Sequence, residues 1–266
     1  MKINLIEYFV QTVNARNHKV AVIEGDKVAS FAELRDKALS VAVNLISKCD
    51  ITNIPVAVFL PKSIETVTAN IGITYSGNIY MNLDIKAPVE RIKNILNLVQ
   101  PKFLITNNQY LRIIDSVIPD DVIVILIEDI PLVDSTQEPS LLKRLSTLID
   151  IDPYCIINTS GSTGTPKGVV LNHKSFFDFT EWSIDTLGIS DNEIVGSLSP
   201  SIFDIYSHEL CMMMAKGSTI VLLPETLSAF PIKILEILKK EKVTYIFWVP
   251  TIMVNIANMD LLSKIE

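Results

Sequence analysis

Short β-branched runs alternate with longer stretches of helical period along this chain of 266 residues, and that alternation limits its fold more than any other feature. Two parallel strands need a crossover of a dozen or more residues, usually a helix, so the pattern implies parallel sheets with helices packed on their faces. Strands are expected over 20–24, 54–60, 103–106, 122–127, 156–159, 219–223 and 245–249. Helices are expected over 31–48, 88–99, 173–187, 228–241 and 250–258, and residues 1–19 also mix apolar and polar positions at helical spacing. Ser30-Phe-Ala-Glu33 reads as a capping box that opens the 31–48 helix, and Pro88 suits the first turn of the next-but-one helix. The apolar run 122–127 suits a strand buried on both sides. Residues 128–140 are polar with two prolines and read as a surface connection, so that a subdomain junction is placed near 128–150 within one α/β unit.

Composition removes several classes of function. The chain is 48% hydrophobic and 20% charged, as expected of an ordinary globular protein. Its formal charge is −7 and no Lys/Arg run stands out, which argues against a nucleic-acid partner. An anionic ligand would therefore need local donors and a metal. Cys49, Cys155 and Cys211 are too few and too scattered for a disulfide framework, and none pairs with His18, His173 or His208 at zinc-ligand spacing. The N-terminus lacks a signal-peptide apolar core, and no apolar run approaches the roughly 20 residues that span a bilayer. A reducing cytoplasm, with no membrane partner, is the expected home.

The segment best suited to carry chemistry follows the apolar run at 154–158: Thr159-Ser160-Gly161-Ser162-Thr163-Gly164-Thr165-Pro166-Lys167-Gly168-Val169. Glycines permit positive φ, so such a segment can turn backbone N–H groups and hydroxyls onto phosphate oxygens, and Lys167 adds a point charge. Residues 168–171 look like another strand, which sets the loop between two strands. A P-loop instead leads into a helix and needs glycine directly before the lysine, where this chain has Pro166.

The eleven-residue string resembles the AMP-binding signature of the adenylate-forming superfamily, which includes acyl-CoA synthetases, luciferase-like enzymes and the adenylation domains of nonribosomal peptide synthetases. Other blocks agree in order and spacing. Residues 28–34 (VASFAEL) resemble the family's "TYxEL" helix start, with Phe31 for tyrosine. Residues 75–84 followed by 88–92 resemble "AGxAYvPlDpxxPxeRi", although Met81-Asn82 and Ile85 depart from the prolines usual there. Asp152 also matches, and residues 201–209 (SIFDIYSHE) resemble the "FDxSxxE" block of amino-acid-activating members. The implied fold is the N-terminal large-domain region of the adenylate-forming enzymes.

The resemblance also implies site residues. Thr159, Ser160, Gly161, Ser162, Thr163, Gly164 and Lys167 would bind ATP phosphates, with Thr163 and Lys167 the catalytic pair and Thr163 a contact to phosphate or Mg2+. An amino-acid pocket needs a carboxylate to meet the substrate ammonium, because an unpaired buried charge is costly. By match Asp204 is that group, Phe203 shapes the pocket beside it, and Ile205 and His208 line the side-chain pocket. Asp204 or Ser201 could instead cap the following helix, and Tyr206 stands where the family has a small serine. Met212–Met214 and Cys211 read as core, His173 as a support for the loop and next helix, and Trp248 as a core tryptophan close to the pocket.

The implied reaction is activation of an amino acid with ATP, releasing pyrophosphate, followed by transfer of the acyl group to the phosphopantetheine thiol of a carrier protein. An acyl- or aryl-acid ligase using coenzyme A and a non-catalytic nucleotide-binding module are the alternatives. The "YGPTE" block, the ribose-holding aspartate and the lysine-bearing lid have no counterpart in these residues, so the chain is expected to be a truncated N-terminal piece, residues 1–266, without turnover of its own.

Overall fold

The computed structural model describes residues 3–160 and 166–259. The chain opens with helix α1 (Ile6–Arg16) and the antiparallel pair β1 (Val20–Glu24) and β2 (Lys27–Ser30), then enters α2 (Phe31–Lys48). The capping box is complete: Ser30 Oγ accepts the Glu33 N–H at 3.2 Å and the Glu33 carboxylate accepts the Ser30 N–H at 2.7 Å. Strand–helix units follow: β3 (Pro55–Val58), α3 (Ile64–Tyr75), β4 (Ile79–Asn82), α4 (Val89–Val99), β5 (Phe103–Thr106), α5 (Asn108–Ile114) and β6 (Ile123–Leu126). After α6 (Glu138–Leu145) come β7 (Pro153–Ser160), β8 (Pro166–Asn172), α7 (His173–Leu187), β9 (Ile194–Ser197), α8 (Asp204–Lys216), β10 (Thr219–Leu222), α9 (Pro231–Lys240) and α10 (Pro250–Asn258).

The described strands form two sheets. Six lie in the order β6-β5-β3-β4-β7-β8, parallel except for the β7–β8 hairpin. Four lie in the order β2-β1-β10-β9, parallel except for β2. The chain starts in the smaller sheet, builds the larger one and returns. One apolar core joins them, with Val22, Val195 and Ile220 of the smaller sheet in the same cluster as Val56, Val58, Tyr80 and Ile105 of the larger. Leu141, Leu145 and Leu148, from the 128–150 region, belong to that cluster too. A second cluster, including Ala57, Met81, Leu104 and Ile92, covers the other face of the larger sheet with α4. Among the described residues no helix is long and apolar enough to cross a membrane.

Two helices in this core are enclosed on every side. All of α3 except Glu65 is buried, as is α8 from Tyr206 to Met214. A helix of this kind lacks an amphipathic stripe, which is why the sequence pattern does not reveal α3. Two of its hydroxyls are satisfied within the helix, Thr68 Oγ1 donating to Ile64 O and Thr74 Oγ1 to Asn70 O, both at 2.8 Å. Asn70 then reaches across to the Tyr206 hydroxyl of α8 at 3.4 Å.

Four expectations are corrected by this arrangement. The 122–127 run is an edge strand with mostly half-buried side chains, since β6 is the last strand of its sheet and has a neighbour on one side only. The helix expected from 228 begins at Pro231, after a 3-10 turn over Glu225–Ala229. Residues 245–249 are no strand: one parallel bridge, Val195 with Tyr245, forms and stops. The next acceptor along β9, Gly196 O, is taken by the Trp248 indole N–H at 2.7 Å, so the ladder has nothing to continue on. Pro88 is the N-cap of α4 rather than its first residue, and Met212–Met214 and Cys211 are core as expected.

Contact between α2 and α3 is close enough to need glycine at position 72. A Cβ there would lie 2.6 Å from Val41 Cβ and 2.7 Å from Ala38 O. Alanine is the better helix former by about 1 kcal/mol, yet Gly72→Ala is expected to destabilise the fold by about 1–3 kcal/mol through overpacking. Urea denaturation of the two proteins measures the sign directly.

Candidate active site at the carboxyl ends of the strands

Ligands of parallel sheets gather beyond the carboxyl ends of the strands. In this chain the two sheets bring several such ends together: Ser197 of β9 is followed by the 198–203 turn, Leu222 of β10 by Glu225, and Asn82 of β4 by Lys86. The turn after β9 delivers the chain into α8, whose first residue is Asp204. Neither suggested cap operates. Phe203 is the N-cap residue without a side-chain bond, the Asp204 carboxylate accepts its neighbour's N–H at Ile205 (3.0 Å), and Ser201 is buried with its carbonyl engaged by Asn82.

Two cavities meet at this helix start, and Asp204 and Ile205 line both. One, of about 450 Å³, lies towards α7 and is closed by Leu171, Phe176, Phe179, His208 and Phe247. The other, of about 370 Å³, is closed by Leu198, Pro200, Phe203, Trp248 and Ile252, with the Lys86–Glu225 ion pair (2.6 Å) among its lining residues. Asp204 is exposed, and Phe203 is 47% exposed beside it. The structure thus gathers Asp204, Ile205 and His208 around one cavity, with Phe203 facing the neighbouring one. Tyr206, in place of the family's serine, is buried in the core and lines neither.

His208 is buried, with its ring 4.6 Å from Phe179 and 5.7 Å from Phe247, centre to centre. Burial pushes its pKa down to about 4, against a smaller upward pull from Asp204. It is therefore neutral near pH 7, and its Nδ1 accepts no hydrogen bond from the described residues. His173, the first residue of α7, is likewise pushed down to about 4 by burial, and its Nδ1 accepts the Leu5 N–H at 3.3 Å. It ties the start of α1 to the start of α7.

The glycine-rich segment spans the tip of the β7–β8 hairpin. Thr159 pairs with Lys167 and Ser160 with Pro166, so the arms are zipped up to the loop. Thr159 and Lys167 are both exposed. Gly161, Ser162, Thr163 and Gly164 lie outside the described residues, as does the side chain of Ser160. The hairpin also reaches the larger cavity: Leu171, four residues from Lys167 on the same strand and about 13 Å along it, lines it.

Phe179 and Phe247 are not evident from sequence as site residues, whereas Trp248 reads there as a core residue close to the pocket. Phe179 stacks on Trp182 at 5.6 Å along α7, a spacing that reads as an ordinary helix face. Phe247 sits in the run expected to be a strand. Trp248 is half-buried and forms a cavity wall, held by its bond to Gly196 O, rather than being a core tryptophan.

The AMP-binding enzyme family matches this chain over residues 9–265, and the chain belongs to that family. It is 29% identical over 255 residues to delta-poly-L-ornithine synthetase of Acinetobacter baumannii (strain AB307-0294), covering 94% of this chain and 18% of the relative. A D-alanine--D-alanyl carrier protein ligase of Streptococcus agalactiae is 27% identical over 232 residues, 84% of this chain and 42% of its own. The chain thus spans less than half the length of either relative. The nonribosomal peptide synthetase FmoA3, in a form bound to alpha-methyl-L-serine-AMP, superposes with a TM-score of 0.82 at 22% identity, over 97% of this chain and 28% of that one. VinN superposes with a TM-score of 0.79 at 16% identity, over 97% of this chain and 64% of that one. The expected α/β architecture and the resemblance to nonribosomal peptide synthetase adenylation domains both hold.

The two buried histidines give stability a defined pH dependence. The unfolded chain protonates them near pH 6.5, the folded chain only near pH 4, so unfolding takes up protons between those values and stability falls as pH drops through that window. The variant H173Q/H208Q is expected to show a shallower fall of urea midpoint from pH 6.5 to 4 than the parent, by up to two protons' worth of slope. Equal slopes would contradict the neutral assignment.

Proposed function

We propose that these residues form the phosphate- and acid-binding region of an enzyme that activates an amino acid with ATP as an acyl-adenylate. The observation that carries this reading is the larger cavity: Asp204 is the one acidic side chain among its lining residues, and the walls around it are apolar or aromatic apart from Ser175 and neutral His208. A carboxylate at the mouth of an apolar cavity suits an α-ammonium group with a side chain pointing inwards. The FmoA3 form bound to alpha-methyl-L-serine-AMP supports the same reading by analogy of fold.

In the proposed step, an oxygen of the amino acid's carboxylate attacks the α-phosphorus of ATP. The new C–O–P bond forms as the bond to the bridging oxygen breaks, and pyrophosphate leaves. Two anions must approach each other, so the requirement on the protein is charge neutralisation and alignment. Lys167 and the hydroxyl and glycine residues from Thr159 to Gly164 would hold the phosphates, Mg2+ would supply further positive charge, and the Thr163 hydroxyl would contact phosphate or metal. Asp204 would hold the ammonium, with Phe203, Ile205 and His208 shaping the acid's surroundings. Transfer to a phosphopantetheinylated carrier protein is the proposed second step, in keeping with the carrier protein that the Streptococcus agalactiae ligase is named for.

Amino-acid-dependent ATP–pyrophosphate exchange by the full-length protein tests the reading. Asp204→Ala is expected to lower exchange efficiency about thirtyfold or more, the lower end of the ~2–5 kcal/mol cost of truncating one partner of a buried charge pair. Exchange that is unaffected by Asp204→Ala and driven by acids lacking an amino group would favour the acyl- or aryl-acid ligase. ATP binding without any adenylate would favour a non-catalytic module. Residues 1–266 on their own are expected to support little exchange, since the lid lysine and ribose-holding aspartate of the family have no match among them; robust exchange would overturn that.

A further inference from the structure

The turn that delivers Asp204 is held from the opposite sheet at three alternate carbonyls. Lys62, on the loop after β3, donates from Nζ to Ser197 O at 2.8 Å and to Ser199 O at 3.1 Å. Asn82, the last residue of β4, donates from Nδ2 to Ser201 O at 2.8 Å. Both anchors come from the six-stranded sheet, whereas Ser197 ends a strand of the four-stranded one. Two residues beyond the last of these carbonyls lies Phe203, and one further lies Asp204.

The anchors are specific in kind. Asn82 is 5% exposed, and a buried amide is held to the acceptor it finds. Lys62 is an ammonium set largely out of water, and burial lowers its pKa to about 8. Facing it is Glu209 on α8, one turn and a residue past Asp204 and fully buried. Burial raises the Glu209 pKa to about 8, against smaller downward pulls from the Ser197 hydroxyl and the Lys62 ammonium, so that this acid is largely protonated near pH 7. The two groups influence each other's titration without a direct contact. A buried ammonium with two carbonyl acceptors is confined to one place, as a surface lysine is not.

We propose that Lys62 and Asn82 are positioning residues for the amino-acid end of the site, fixing the 197–201 carbonyls so that Phe203 and Asp204 meet the substrate in one geometry. Neither anchor lines either cavity or belongs to the glycine-rich segment, so the role is confined to the acid. The proposal rests on the amino-acid reading of Asp204 given above.

The test is steady-state exchange by the full-length protein, with amino acid and ATP varied separately. Asn82→Ala and Lys62→Met are each expected to raise KM for the amino acid about tenfold, since misplacement by an ångström costs up to about a hundredfold. KM for ATP should stay within twofold in both, and Lys62→Arg, which keeps the donors, should recover most of the loss. An unchanged amino-acid KM in Asn82→Ala and Lys62→Met, or an equal rise for ATP, would overturn the proposal. If Lys62→Met does not fold, Lys62→Gln decides for that anchor: a threefold or larger rise confined to the amino acid supports it, and no rise overturns it. Absence of amino-acid-dependent exchange in the parent protein would count against the amino-acid reading itself, a result distinct from either variant outcome.

Discussion

Helix α8 has to satisfy two opposed conditions, and the rest of the structure follows from how it does so. From Tyr206 to Met214 it is enclosed by protein, yet its first residue and the N-cap before it face solvent. A helix buried for two and a half turns is fixed along its axis by packing, so its exposed end has little freedom left. The sheets, α3 bonded through Asn70 to Tyr206, and α1 and α7 alongside supply that enclosure. The exposed end then becomes a rigid post for Phe203 and Asp204, which suits a group that must meet a charged ligand repeatedly at one position.

Charge is distributed to match. The chain as a whole is acidic, at −7, and would repel a polyphosphate, so any attraction has to come from local groups. Lys167 stands exposed at the hairpin tip, whereas Asp204 lies on α8 beside the cavities. Separating the single cation of the loop from the carboxylate of the cavity leaves each free to meet a ligand group of opposite sign. The neutral, buried His208 adds no competing charge between them.

Much of this is legible in the sequence, for identifiable reasons. The helices at 31–48, 173–187 and 250–258 emerge with the expected bounds because each combines a polar start signal or proline with an apolar stripe. The hairpin around residues 159–168 is readable from two β-branched runs flanking a glycine-rich turn. The remainder needs three dimensions. Helix α3 has no polar face to set its period. The 245–249 run looks like a strand because nothing in it reveals that the side chain of Trp248, three positions past the Tyr245 bridge, takes the next acceptor on β9. The site divides in the same way. Asp204, Ile205 and His208 follow from one motif on one helix, whereas Phe179 and Phe247 reach the same cavity from elements far apart in the chain. Lys62 carries no local signal at all, since only the return of the chain to the smaller sheet brings Ser197 and Ser199 to its ammonium.

The bond from the Trp248 indole to Gly196 O has a consequence outside the site. Strand β9 is the last in its sheet, and an uncovered last strand offers its carbonyls and N–H groups to any extended chain that meets it. The Tyr245 bridge occupies the first of these groups and the indole occupies the next, with a ring too broad to be followed by a further rung. One side chain therefore both walls a cavity and guards the molecule against adding strands to itself.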